Sequence, residues 1–213
     1  MTLNYMFQLG GWAMWPLLLF SIVTMSIIIE RFIYFLLHNL KVEHVKKNVL
    51  EKIREGKVSE ALDYCSSCPK KLLSAHIFSA GLRVLTLGEH RMEKAMETEA
   101  SEKINALEGG FNLLLAIGSI APITGFLGTV SGMIGAFSSI AKADEVNAQL
   151  VAGGIFEALI TTAYGLSIAI VAVSAYYILI HIVDRFSARV EEGGSEIVTA
   201  LLMDDYVNGA ERQ

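Results

Sequence analysis

The sequence predicts an all-α, polytopic membrane protein with three transmembrane helices and a helical cytoplasmic domain. Three observations carry that expectation. Of 213 residues, 53% are hydrophobic and 18% charged, an apolar balance for a soluble domain, and the mean hydropathy is +0.49. The apolar residues gather in three runs, each longer than the ~20 residues that cross a bilayer's hydrocarbon core. The charges lie between those runs, in segments whose apolar positions recur at helical spacing.

The first run is Trp12–Leu37, and no charged residue precedes Glu30. No basic residue comes before it and the apolar stretch is long, so it is a span and not a secretory signal. Trp12 and Trp15 suit an interfacial belt, and Pro16 suits a helix's first turn. The second run, Phe111–Ala141, carries no charge; as a helix it extends about 46 Å and must tilt or project. The third, Leu150–Val183, carries one carboxylate, Glu157, with His181 near its end.

Lysine and arginine set the orientation. Residues 1–11 have none, whereas residues 38–110 hold 12 of the chain's 17. Arg185 and Arg189 follow the third span closely. The expected order is an outer N-terminus over 1–11 and a span over 12–37, then a cytoplasmic helical domain over 38–110. A span over 111–141, a short outer connection over 142–149, a span over 150–183 and a cytoplasmic tail over 184–213 follow. A net charge of −5 argues against nucleic acid as a partner, because phosphate binding needs a basic face.

In the cytoplasmic part, Glu43–Glu55 is expected to be a helix ending at Gly56. Ser59–Ser66 is short and stops before Pro69, and Leu72–Leu87 is amphipathic. From Glu89 a longer helix puts Met92, Met96, Ala100, Ile104 and Leu107 on one face, with Glu99 and Lys103 as an i,i+4 pair. It either runs unbroken into the second span or breaks at Gly109-Gly110. Residues 195–207 form a further short amphipathic helix. Cys65 and Cys68, spaced C-x-x-C, supply only half of a four-ligand zinc site, and no second half follows. Ordinary cytoplasmic thiols are the expectation, with a redox or metal role as the rival. No enzymatic activity, cofactor or metal is expected.

Two spans carry functional signal. In the second, Gly118, Ala121, Gly125, Gly128, Gly132 and Gly135 fall on one narrow stripe. Glycine weakens a helix interior, so a stripe of it implies close approach of another helix. Pro122 removes one ladder hydrogen bond and permits a bend. Thr129 lies about 40° from the stripe; alone, such a threonine bonds its own helix's carbonyl. In the third span Glu157 is costly in hydrocarbon unless it faces water, a partner or the bundle interior; a place at the outer boundary is the alternative. Glu157, Thr161, Tyr164 and Ile168 share one side. Thr162, with Ala158, Gly165, Ala169 and Ala172, lies on another, about 140° from Glu157. At least two surfaces of this helix therefore need partners.

These segments resemble the ExbB/TolQ/MotA proton-channel family, and its ExbB branch most closely. Ala121–Phe137, APITGFLGTVSGMIGAF, is similar to the family's second-span signature of proline followed by GLLGTV-x-GM and phenylalanine. Gly153–Ile170, GGIFEALITTAYGLSIAI, resembles its third-span signature GI-x-EAL-x-TTA-x-GL-x-x-AI, and Ile27–Phe32 the inner end of its first span. Val171 stands where many relatives have proline, which counts against a hinge there; Gly153 also replaces a proline. The resemblance implies a multi-pass protein of the bacterial inner membrane with a periplasmic N-terminus and a cytoplasmic C-terminus. It implies a homo-oligomeric ring, a pentamer, around an ExbD/TolR-type subunit. That partner has one span, and its aspartate carries the proton. A TonB-like or TolA-like transducer would complete the motor. By the same resemblance Thr129 and Thr162 are pore-lining hydroxyls, Glu157 a sensitive carboxylate between helices or subunits, and Pro122 a bend. Gly125, Gly128 and Gly132 remain packing positions. Energising TonB-dependent outer-membrane transport is the expected function; TolQ-like envelope maintenance or gliding is the alternative, and sodium stays open beside protons.

Overall fold

A computed structural model of the chain describes residues 10–142 and 148–210, with side chains described for all of these except 148, 150 and 204–210. Most of the expected N-terminal segment 1–11 and of the 142–149 connection falls outside these residues. The described residues hold seven α-helices: α1 Met14–Leu37, α2 Glu43–Arg54, α3 Val58–Ser67, α4 Leu73–Arg83, α5 Glu89–Leu107, α6 Phe111–Lys142 and α7 Ala148–Ala210. A 3-10 turn covers Leu85–Leu87. Apart from one isolated bridge between Asn39 and Leu72, all regular structure among the described residues is helical. Helices α1, α6 and α7 are each long and apolar enough to cross a membrane.

The chain divides into two units. The first takes residues up to Glu30 and Gly110–Leu179, and so holds most of α1, α6 and the first half of α7. Its core joins Met14 and Leu17 of α1, Ile117 and Ala121 of α6, and Ile160, Ile168 and Ala172 of α7. The opposite faces stay apolar yet exposed, as with Leu19 and Ile22 of α1, Ile123 and Phe126 of α6, and Leu159 and Ile170 of α7. Helices that are apolar all round belong in lipid or against other helices. Pro16 sits in the first turn of α1, where its missing N–H is not needed.

The second unit takes Arg31–Gly109 and residues from Ile180 onward. Helix α2 buries Val45, Val49 and Ile53 at i, i+4 and i+8, and it stops at Gly56 with φ +70°, a conformation that suits glycine. The expected helix over Leu72–Leu87 is shorter: α4 ends at Arg83 and the chain closes as the 3-10 turn before Gly88 at φ +93°. Helix α4 is buried on almost every side, through Leu73, Ala75, Ile77, Phe78 and Leu82. Between the two alternatives after Glu89, the structure takes the break: α5 ends at Leu107, and Gly110 adopts φ +78°. Arg31 marks that end by donating to the carbonyls of Ala106 (2.8 Å) and Leu107 (3.3 Å). A cation there satisfies the orphan carbonyls of a helix C-terminus.

The separate tail helix expected over 195–207 does not exist as such. Helix α7 continues to Ala210 because Gly193-Gly194, which resembles a stop, is instead packed. A Cβ on Gly193 would stand 3.0 Å from Phe78 Cζ and 3.2 Å from Lys46 Cδ. Val183, Phe186, Val190, Ile197 and Leu201 bury the same stripe, and Lys46 pairs with Glu196 at 3.0 Å.

Candidate functional site

Helices α6 and α7 touch along their small residues. A Cβ on Gly125 would meet the Thr161 carbonyl oxygen at 2.7 Å, Thr162 Cα at 3.1 Å and Gly165 Cα at 3.4 Å. One on Gly165 would meet the Ala121 carbonyl oxygen at 2.5 Å. These are backbone atoms, which cannot swing aside, so the two glycines let the helices approach backbone to backbone. Toward the far end Gly132 faces Gly154 and Ala158, and toward the near end Gly118 faces Val173. Gly135 meets nothing within 4 Å, so the stripe's contact with α7 ends before it. Pro122 is half-buried inside α6, one turn from the crossing, and leaves the carbonyl four residues earlier without its usual donor.

Hydroxyls collect at that crossing. The Thr129 hydroxyl lies 3.3 Å from the carbonyl oxygen of Gly125 on its own helix and 3.0 Å from that of Ala158 on α7. It is also hydrogen-bonded to the Thr162 hydroxyl. Thr162 in turn lies 3.2 Å from the Gly125 oxygen. Thr129 thus bonds its own helix and its neighbour together, where a lone threonine would bond only the first.

Thr161, which the helical arithmetic set on the Glu157 side, joins the same group. It is fully buried, with its hydroxyl 2.8 Å from the Ala158 oxygen and 3.3 Å from the Gly125 oxygen. Adjacent threonines on a helix point about 100° apart, yet both reach one carbonyl because Gly125 carries no side chain between them. The only trace of this in the sequence is the Thr161-Thr162 doublet.

Glu157 is half-buried, about one turn from the threonines toward the start of α7. Among the described residues no hydrogen bond links its carboxylate to Thr129 or Thr162, and no partner pairs with it. Its Oε1 lies against Gly11, which has φ +62° and stands in the turn before α1. From the next residue of that turn, Trp12 Nε1 donates to Ser131 Oγ at 3.1 Å. Ala13 reaches the Thr161 side: a Cβ on Gly128 would meet both the Thr161 hydroxyl at 2.6 Å and Ala13 Cβ at 2.9 Å. Three segments therefore build the site: the turn before α1, α6 over Pro122–Gly132, and α7 over Glu157–Gly165. Its hydroxyls and carbonyls can donate to or accept from water or a hydrated ion inside a largely apolar bundle.

The cysteines present different chemistry. Cys65 is buried, and burial pushes its thiol up to about 12; burial also raises that of the half-buried Cys68. Both shifts disfavour the thiolate, which is the nucleophile and the metal ligand. Among the described residues no group of three or more His, Cys, Asp or Glu is placed to hold a metal ion.

Residues 70–192, more than half of the chain, match the model of the MotA/TolQ/ExbB proton channel family. An ExbB-like biopolymer transport protein of Synechocystis sp. is 30% identical over 196 residues, covering 90% of this chain and 76% of that one. The biopolymer transport protein exbB1 of Vibrio cholerae is 32% identical over 199 residues, covering 86% and 81%. The Tol-Pal system protein TolQ of Haemophilus influenzae is 42% identical over 97 residues, covering 46% and 40%. With its family signature spread over both long apolar helices of the site, the chain belongs to the MotA/TolQ/ExbB proton channel family.

Proposed function

We propose that this chain is the ring-forming channel subunit of a proton-driven motor in the bacterial cytoplasmic membrane, and no enzyme. The observation that carries the proposal is the hydroxyl cluster of Thr129 and Thr162 at the α6–α7 crossing, with the half-buried Glu157 a turn away. Ionisable and polar groups gathered inside apolar helices face the bundle interior or a water-filled cavity, where they commonly mark ion and proton paths. Glycines at Gly125, Gly128 and Gly132 bring the helices close enough for the cluster to form. Before Asp184 the long apolar runs contain no aspartate, in keeping with the family resemblance, which implies a proton-carrying aspartate on another subunit. An ExbD/TolR-type protein with one span and an aspartate fits that role, inside a homopentamer of this chain. The N-terminus faces the periplasm and the C-terminus the cytoplasm, as the lysine and arginine distribution favours.

The pathway that fits best is the energising of outer-membrane transport through a TonB-like transducer, since relatives aligned over most of both chains carry ExbB names. A TolQ-like role with a TolA-like transducer is the second reading. The higher identity to a TolQ protein over the 97 aligned residues favours it.

Vesicles containing the chain with its single-span partner test the channel. Proton flux driven by a pH gradient should fall sharply in Thr162→Val and in Glu157→Ala. Flux indifferent to both changes would sink the assignment. A parallel sodium gradient identifies the coupled ion, and complementation of tonB-type or tol-type phenotypes separates the two pathways.

A further inference from the structure

Helices α5 and α7 leave a groove of about 600 Å³ between them, inside the second unit. Met96, Ala100 and Ile104 line it with apolar surface, and the exposed Glu93, Glu97 and Glu191 rim it. Three serines complete the lining, so among the described residues the groove has no basic side chain of its own. Lys94, which is not part of it, pairs with Glu97 at 2.9 Å. Glu93 and Glu191 have no ion pair among the described residues. A Cβ on Gly194 would stand 3.5 Å from Met96 Sδ, which places Glu97 within about one turn of Glu191 along the groove. Carboxylates gathered beside apolar surface repel one another and favour a cation supplied from outside.

The flank of α7 turned away from this groove carries the complement. Arg185 and Arg189 are exposed there, four residues apart, and neither has an ion pair among the described residues. At 100° per residue they centre about 140° from Glu191, and Arg189 lies only about 3 Å from Glu191 along the axis. Of the acids on that flank, Glu196 is held by Lys46 at 3.0 Å, and Glu192 pairs with neither arginine. Opposite charges on opposite flanks of one helix cannot meet within a chain, but they meet between neighbouring copies. Such a head-to-tail contact closes into a ring when the rotation between copies divides the circle, and a closed ring keeps every copy at one height.

We propose, building on the ring assigned to this chain, that Arg189 of one copy seats between Glu97 and Glu191 of the next. Arg185, one turn away, lays its stem along the apolar wall at Ile104. Arginine suits the position because its aliphatic stem packs on apolar surface while its guanidinium bonds carboxylates. The equal height of Arg189 and Glu191 is what singles out a second copy as the occupant: a closed ring offers that level and no other.

The test is cross-linking of the full chain, with its single-span partner, in native membranes. Ser101→Cys and Arg185→Cys together, with Cys65→Ala and Cys68→Ala, place one thiol in the groove and one on the opposite flank. A short bis-maleimide should then give a ladder of dimer, trimer and higher bands that ends at the ring. Arg189→Glu in that background should lower the ladder by about tenfold, since it sets like charges against one another. Arg189→Glu with Glu191→Arg, which exchanges the two charges, should restore it. If the cysteine variants fail to assemble, native mass spectrometry of Arg189→Glu and of the exchanged pair, in the otherwise unchanged chain, reads the same loss and recovery of the ring. Monomer bands alone, beside an intact wild-type ring, would overturn the contact and leave the ring standing, with the arginines on lipid phosphates instead. Bands that stop at dimer would overturn it as well, because a two-fold contact cannot propagate. Absence of any ring in the wild-type chain would overturn both the contact and the ring.

Discussion

Gly125→Ala concentrates the packing argument in one methyl group. Its Cβ would stand 2.7 Å from the Thr161 carbonyl oxygen and 3.1 Å from Thr162 Cα, while ordinary contact begins at 3.4 Å. Both obstacles are backbone, so α6 and α7 must part by about 0.7 Å for the closer contact to relax. Forced overpacking of this kind costs about 1–3 kcal/mol. The same separation stretches the Thr129–Ala158 and Thr162–Gly125 bonds, at 3.0 and 3.2 Å, beyond useful hydrogen-bond length. Interhelical bonds in membranes average about 0.6 kcal/mol each, and alanine returns about 1 kcal/mol of helix propensity. The net expectation is a loss of about 1–3 kcal/mol, with proton flux falling alongside it. Gly135→Ala is the matched control, since its Cβ meets nothing within 4 Å; it should be neutral or stabilise by up to about 1 kcal/mol. Thermal unfolding of the two variants in one detergent, with flux in vesicles, checks both. Equal stability of the two variants would refute the reasoning, because only the backbone contact distinguishes the sites.

Three further outcomes follow from other parts of the chain. Gly11→Ala places a β-carbon at φ +62° and against the Glu157 carboxylate, a strain of about 1–2 kcal/mol; flux should drop, and Glu157→Asp in the same background should recover part of it. Lys46→Met removes an ammonium held above its ordinary 10.5 first by its hydrogen bond to Glu196, an effect opposed by burial and reinforced by Glu43. A raised folded-state value means the stabilisation, about 1 kcal/mol, is fully present below pH 10.5 and lost as pH rises through the folded value. The gap in thermal midpoint between wild type and Lys46→Met should therefore be constant near neutrality and close in strong alkali. Iodoacetamide at pH 8 should alkylate Cys68 well before Cys65, whose thiol is pushed up to about 12, and modification of Cys68 should leave flux intact; loss of flux would revive a redox or metal role.

Much of the fold is legible in the residue pattern alone. The three apolar runs exceed what a soluble helix needs, and their lack of charge dictates where chain can sit in hydrocarbon. The site is legible only in pieces. Thr129, Glu157 and Thr162 stand out as polar residues in apolar helices, and the glycine spacing announces a close neighbour. Thr161 does not stand out, because a residue on the Glu157 side of α7 joins the Thr129 group only once Gly125 brings α6 within reach of both adjacent threonines. The Gly11–Glu157 contact is invisible for a similar reason: the two residues are far apart in sequence, and nothing in either local pattern points at the other.

Glycine shows most clearly where the sequence stops and the tertiary structure begins. By itself the sequence determined the all-helical class, the three long apolar helices and the small-residue stripe of the second, since composition and periodicity act within one segment. Gly109-Gly110 and Gly193-Gly194 are indistinguishable by that standard. At the first pair the helix ends, with Gly110 at φ +78° and Arg31 on the last carbonyls of α5. At the second α7 runs straight through, because Phe78 and Lys46 fill the room that side chains would have taken. A glycine permits both a turn and a close approach, and only the neighbour that arrives decides which is used.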